Sequence, residues 1–508
     1  MVFVLTLSLY VNYQWPLSWD VYIHINYALT YMNHGITTID PLLNAPNGKA
    51  IGYVPLFHIL LIIVSKITFL NLFDTAKLFQ IIVPLCTTGV IMYIANKFYD
   101  ELTAFMAGLL LISSFIFTRM YLPIPESVSI VLFIIGIYLF YEATLYDKES
   151  YACLTAIVSM LIIALHFSTF VYFMILITIL MVVQLYLQKN LNALKSYIYM
   201  LGMLILIGVC SIFALYMISP THTSDIISGI LTIFNEPMSL FMGQKAMGLE
   251  RYIKCLGIFP LIFGVIGLYY SFKYREMLFV SAWALVAFII SNLHWFGIPV
   301  YTYRMLIYVL IPAVIIGGYG ISKIIQKLNT KNKVYSVILI LAIIIVTCFS
   351  GISNLEDPSV THSYSTTEVS TYQTAPPTSS EQEVIDWFKN VENKDDSILS
   401  NNMFFATIIS SADEMPIHYK FNKFIANPEN TSKKLIDKEK IGYVLYDKSL
   451  IMNNTTKYDD LSVVAVNGSF YPTYYFTQQI NNQNFNEIQL PYSEKVFEND
   501  RFIICKIT

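Results

Sequence analysis

Residues 1 to about 350 carry repeated apolar runs, most of them 15 to 22 residues long, and beyond Ser350 no such run occurs. Wound as a helix, a run of about 20 residues crosses a bilayer core about 30 Å thick, and about 17 suffice when flanking groups reach back to the interface. In lipid a helix satisfies its own backbone donors and acceptors. The pattern therefore commits this part of the chain to a bundle of crossing helices. Charge content agrees, because only 13% of the 508 residues are charged, against a usual share of about 25%. The formal net charge of −3 leaves no basic footprint for nucleic acid. High hydrophobicity excludes intrinsic disorder.

Eleven spans are expected, at 1–14, 78–96, 102–118, 127–145, 151–165, 168–187, 196–217, 253–272, 277–293, 304–321 and 334–350. The first is short and lacks a positive flank, Lys49 being the first basic residue, so either the true start lies upstream or this span is marginal. The run 53–69 is nearly long enough to cross, but Pro55, His58 and Lys66 are costly at mid-membrane. Loop charge arbitrates. If 53–69 does not cross, the cytoplasmic loops hold Lys97, Lys148, Lys189, Lys195, Lys273, Arg275, Lys323, Lys327, Lys331 and Lys333. The opposite loops after residue 100 hold Arg119, Lys245, Arg251 and Arg304. The positive-inside rule then favours eleven crossings, with 53–69 and His58 along the outer surface and residues 351–508 outside the cytoplasm.

Residues 1–350 are thus expected to form a transmembrane domain and 351–508 an extracytoplasmic α/β domain. Four N-x-S/T sequons, at Asn430, Asn453, Asn454 and Asn467, all lie in the tail. In the tail, 381–391 has helical periodicity, with Val384, Trp387, Phe388 and Val391 on one face. Strands are expected at 397–399, 441–446, 463–466 and 501–507. Five of the six cysteines fall in or beside spans and only Cys505 in the tail, so no disulfide framework is expected.

Charge that survives beside apolar spans marks function. On the outer side Asp20 and His24 lie in the first loop, and Arg119 and Glu126 follow the third span. His222, Asp225, Glu236 and Arg251 lie in the long loop 218–251, and Arg304 opens the tenth span. Such a set suits a membrane-embedded phosphate donor. Arg binds phosphate bidentately, a carboxylate near the anomeric carbon serves as general base, and paired carboxylates hold a divalent ion. Each residue also has a plainer reading. Asp20 could cap a helix, Glu126 could favour a helix dipole, and Arg304 could anchor at the interface with Trp295, Tyr301 and Tyr303. His166, between two spans, reads from pattern as a polar turn residue.

In the order Asp20, Tyr22, His24, Gly35, Asp40-Pro41, Gly48, Pro55-Leu56-Phe57-His58, Arg119, Glu126 and Arg304, the chain resembles the GT-C superfamily of membrane glycosyltransferases. Within it, the resemblance is to the catalytic subunit of archaeal oligosaccharyltransferases, whose closing strands 495–506 also resemble. The resemblance implies a GT-C-like polytopic fold and a polyprenyl-phosphate-linked sugar donor. It implies Asp20 and Glu126 as catalytic residues and as ligands of a divalent cation such as Mg or Mn. Arg304, Arg119, His24, His166 and Glu236 would bind substrate, Glu236 in a stretch (Thr232 to Glu236) similar to the family's Thr-Ile-x-Glu motif. The tail has one Trp, Trp387, and lacks the Trp-Trp-Asp-Tyr-Gly motif that reads a sequon. Only Glu126 stands where the family has two acidic residues separated by one.

The reading favoured at this point is a cell-membrane glycosyltransferase that acts on an unidentified acceptor at the outer face. A divergent oligosaccharyltransferase acting on protein Asn, a transporter and a non-catalytic scaffold remain open. Transporters tend to place polar or broken helices at mid-membrane, whereas here the polar groups gather at span ends.

Overall fold

The computed structural model describes residues 1–18, 20–218, 223–224, 227, 248–272, 278–298, 300, 302–356, 377–421, 424, 431–448, 455–458, 461–466, 469–472 and 489–508. Glu236, His222, Asp225 and all four sequon asparagines lie outside the described residues. By its internal contacts the chain divides into two units, each discontinuous in sequence. The first comprises Met1–Asn12, Tyr53–Phe57 and Leu78–Asp357; the second comprises Tyr13–Gly52, His58–Lys77 and Pro358–Thr508.

The first unit is helical, and every expected span falls on a helix or a bent helix pair. Six helices are long and apolar enough to cross a bilayer: Leu72–Phe98, Pro125–Tyr146, Phe167–Gln188, the Asn192–Ala214 part of the helix that runs to Ile218, Thr302–Asn329 and Lys333–Leu355. Two further crossings arise if each bent pair counts as one, Glu101–Ile112 with Phe115–Tyr121 at 86° and Leu249–Leu256 with Ile258–Ser271 at 93°. Among the described residues the count is therefore six to eight, and the eleven expected are not established. The other three expected spans fall on shorter apolar helices. Val2–Asn12, Glu149–Leu165 and Leu278–Ser291 have 11, 17 and 14 residues, which at about 1.5 Å each reach about 17, 26 and 21 Å. The ambiguous run forms the 13-residue helix Leu56–Thr68, too short for a full crossing.

The helix Thr302–Asn329 is buried along nearly its whole length and packs against Ile258–Ser271, Glu101–Ile112 and Leu278–Ser291. Glycine makes that approach possible. A Cβ on Gly267 would lie 1.9 Å from the carbonyl oxygen of Ile316, and one on Gly318 would lie 2.5 Å from that of Thr103. Small residues at such seams let helix backbones close up where lipid offers no hydrophobic drive.

The second unit is built on a five-stranded sheet in the order β4-β3-β5-β10-β9. Its strands are β3 (Ser397–Ser400), β4 (Ile417–His418), β5 (Ile441–Asp447), β9 (Ser493–Glu498) and β10 (Phe502–Ile507). β3 runs parallel to β4 and β5, and β10 runs antiparallel to β5 and β9. The strands expected at 397–399, 441–446 and 501–507 are β3, β5 and β10, and the one at 463–466 lies in β7 (Leu461–Val466) of a separate three-stranded sheet with Thr455–Tyr458 and Ser469–Pro472. The expected helix is Ser379–Lys389, opened by a capping box between Thr378 and Glu381. It buries Val384, Ile385 and Phe388 and sets Trp387 against Tyr443. Its start is tied to the sheet by Arg501, which donates from Nη1 to Glu381 Oε1 at 3.1 Å and from Nη2 and Nε to Asp447 Oδ2 at 2.7 and 3.0 Å.

The first loop of the sequence belongs to this second unit. The helix Asp20–His34 packs on the tail helix Met403–Asp413, where Tyr27, Leu43, Met403, Ala406 and Ile417 form one buried cluster. Beside it, Ile417 N–H donates to Leu42 O at 2.7 Å and Ala45 N–H to Ile417 O at 2.8 Å, so the loop continues the sheet past β4. A sheet edge left open is a template for unwanted pairing, and this segment covers it.

Candidate functional site

In the helical unit, the bend after Ile112 leads into the 3-10 turn Phe115–Tyr121, which carries Arg119. Pro123 and Pro125 follow. The residue before a proline is pushed to extended backbone, and Ile124 adopts φ −127°, ψ 160°. Pro125 then occupies the first helical position, where its missing N–H costs nothing. Glu126 thus falls in the first turn of Pro125–Tyr146, where unpaired N–H groups favour a carboxylate. The Arg119 guanidinium donates from Nη2 to Glu126 Oε2, and both side chains are buried. Ser127 Oγ donates to the Arg119 carbonyl at 3.0 Å, which holds the turn against the helix start. Among the described residues Glu126 Oε1 accepts no hydrogen bond.

Two more predicted residues join this pair. His166 separates the helices Glu149–Leu165 and Phe167–Gln188 and caps the second, its Nδ1 accepting from Thr169 N–H at 3.3 Å. Arg304, in the first turn of Thr302–Asn329, donates from Nε to Tyr303 OH at 3.0 Å. Glu126 interacts electrostatically with Arg119, His166 and Arg304. The structure therefore brings together Arg119, Glu126, His166 and Arg304 from four helix ends. Two guanidinium groups at helix ends can bind an anion, and paired Arg suits phosphate.

Sequence reasoning missed the groups behind these four. Thr169 Oγ1 lies 2.8 Å from His166 Nδ1, 2.8 Å from Tyr308 OH and 3.0 Å from Ser129 Oγ. Tyr308 is fully buried and stacks on Tyr172 with centroids 4.3 Å apart. Two signals could have found them. Thr169 stands three residues after the His166 cap, the spacing of reciprocal capping, and Tyr308 one turn after Arg304.

Asp20 and His24 lie in the second unit. Asp20 opens its helix with its N–H on Ser18 Oγ at 3.2 Å, and Ser18 adopts φ 122°, a strained backbone for a residue with a side chain. His24 is buried, its Nδ1 3.0 Å from Nε2 of His58. The sequence placed His58 at a surface, but it is fully buried. Burial pushes its imidazole down to about 3, so it is neutral at physiological pH. Asp40 is buried too, its Oδ1 accepting from Leu42 N–H at 2.9 Å, and burial raises its carboxyl above the usual range.

The surroundings of Glu126 do not fit a divalent ion. Its carboxylate already takes the Arg119 guanidinium. No group of three His, Cys, Asp or Glu able to hold a metal occurs among the described residues.

No protein-family model matches the sequence, and no curated protein is similar to it. Solved structures are similar in fold. The oligosaccharyltransferase of Archaeoglobus fulgidus, tethered to an acceptor peptide with an NVT sequon, matches with a TM-score of 0.59 at 11% identity, over 89% of this chain and 68% of that one. ArnT from Cupriavidus metallidurans bound to undecaprenyl phosphate matches at 0.57 and 11% identity, over 94% of this chain and 99% of that one. The mycobacterial arabinofuranosyltransferase AftD matches at 0.52 and 11% identity, over 100% of this chain and 39% of that one. The Archaeoglobus enzyme has also been solved with Zn and sulfate, and with an inhibitory peptide and a dolichol-phosphate. The chain thus has the GT-C-like fold that its sequence resembles, a polytopic membrane helix bundle with a C-terminal sheet domain.

Proposed function

We propose that this protein is an integral membrane glycosyltransferase that moves a sugar from a polyprenyl-phosphate-linked donor to an acceptor at the outer face of the membrane. The observation that carries the reading is the buried Arg119–Glu126 pair with His166 and Arg304 at helix ends, in a fold shared with enzymes solved on polyprenyl phosphates. The Lys and Arg bias of the loops supports the outer face.

In this reading the acceptor hydroxyl attacks the anomeric carbon and the bond from that carbon to the phosphate oxygen breaks. The polyprenyl phosphate leaves with the electron pair. Asp20 takes the hydroxyl proton as general base. Arg304 and Arg119 stabilise the charge that grows on the departing phosphate, and Glu126 fixes the Arg119 guanidinium by its ion pair. Glu236 belongs to the substrate-binding set by resemblance, and His166 by its interaction with Glu126.

The test is transfer by the purified protein in vesicles, with a sugar-labelled lipid extract of the source membranes as donor and cell-envelope fractions as acceptor. Asp20→Asn should insert and fold normally yet lose transfer by on the order of 10²–10⁴-fold. Wild-type transfer by that variant would sink the assignment of the base. A sequon peptide should stay unglycosylated in the same assay, and its modification would favour the oligosaccharyltransferase reading instead.

A further inference from the structure

The Asp20–His34 helix presents His24, Tyr27 and Tyr31 along one side, at the spacing that stacks side chains on one helix face. All three converge on a single imidazole of the helix Leu56–Thr68. His24 Nδ1 lies 3.0 Å from His58 Nε2, and the rings of Tyr27 and Tyr31 meet His58 edge-on with centroids 5.4 and 5.6 Å away. His58 has no exposed surface and His24 is 2% exposed, so His58 is poorly placed to touch a donor or an acceptor.

A hydrogen bond between two ring nitrogens is directional, and two ring edges beside it close off the remaining freedom. Together they set how far the helix slides and turns. A slip of one residue would rotate the Asp20 carboxylate by about 100° and shift it by about 1.5 Å. A general base must stand within hydrogen-bond reach of the proton it takes.

We propose that His58 is a positioning residue for transfer, acting through His24 to hold the helix that carries Asp20. The inference rests on Asp20 being the general base and says what places it. In steady-state transfer by the purified full-length protein, with the same labelled lipid extract as donor, His58→Leu keeps the bulk but cannot bond. It should lower kcat by on the order of 10²-fold, the cost of about 1 Å of misplacement, with donor KM within about twofold. His58→Gln, whose amide reaches the place of Nε2, should recover most of the loss. His24→Leu should give the same loss as His58→Leu, and the double variant should be no worse than either, because one contact is removed in all three.

Wild-type kcat in His58→Leu, or losses that multiply in the double variant, would overturn the proposal. So would a rise in donor KM at unchanged kcat, which would put His58 on the donor itself. If His58→Leu does not fold, the loss in His24→Leu and its recovery in His24→Asn, whose amide reaches the place of Nδ1, carry the same test. Failure of the parent reading is separable. It shows as activity in Asp20→Asn, whereas inactive Asp20→Asn beside fully active His58→Leu removes this inference alone.

Discussion

In each unit a buried arginine meets a buried carboxylate, and the two centres differ in how completely they are satisfied. In the sheet unit Arg501 bonds both Asp447 and Glu381, Asn402 Nδ2 donates to the same Asp447 oxygen at 2.8 Å, and the second oxygen of Glu381 takes Thr378 N–H and Oγ at 2.7 and 2.9 Å. In the helical unit Arg119 bonds one oxygen of Glu126, the other accepts no hydrogen bond among the described residues, and a second cation, Arg304, acts on the same carboxylate. A buried polar group left unsatisfied is costly. The saturated centre behaves as a staple, because every charge has its partner within the fold. The unsaturated one leaves an acceptor oxygen of Glu126 unmet among the described residues. The composition differs too: Arg501 meets two carboxylates, whereas Glu126 meets Arg119 and interacts with Arg304 and His166.

Breaking the staple gives the largest expected effect. Arg501→Met leaves Asp447 and Glu381 buried without their cation and should cost about 3–5 kcal/mol of stability, read by denaturant unfolding of the sheet unit's near-ultraviolet signal. If that variant unfolds like wild type, the contrast between the centres collapses. Arg304→Met should do the reverse, cutting transfer by on the order of 10²–10³-fold while moving the unfolding midpoint by no more than about 3 °C. A large midpoint shift with transfer preserved would make Arg304 another staple.

Smaller changes sharpen the picture. Tyr308→Phe removes one hydroxyl from the chain behind His166 and should cost about 1 kcal/mol in thermal unfolding, with transfer falling only a few-fold. The smallest effect concerns Asp413, at the end of the helix Met403–Asp413. Burial pushes its carboxyl up to about 6, with Lys394 and Lys389 opposing and Asp386 adding to the rise. The folded state then holds this proton more tightly than the unfolded one, whose ordinary value is about 3.9. Stability should therefore fall as pH rises from about 4 to about 6. Asp413→Asn should flatten that segment of a melting-temperature profile, and an unchanged slope would remove Asp413 as its source.

Much of the site could be read from the chain, because charge beside apolar spans is rare enough to notice. Arg119, Glu126 and Arg304 were picked on that ground and interact with one another and with His166, which reads from pattern as a turn residue. The pairing of His58 with His24 was not legible, because nothing local announces a buried imidazole pair. The count of eleven spans is not established. Hydropathy registers every apolar helix, and Val2–Asn12 and Leu278–Ser291 are shorter than the six long ones.

The sequence by itself determined that this is a helical membrane protein with a folded tail, since transfer from water to lipid is decided by local runs of side chains. It also determined which few polar residues could matter. Only the tertiary structure decided their partners. Thr169 meets Tyr308 across 139 residues, His24 meets His58 across 34, and Asn26 meets the carbonyl of Thr407 at 3.5 Å across 381. Such contacts depend on how helices pack rather than on any window of sequence. For the same reason only the fold revealed that the Asp20 helix belongs with the tail's sheet.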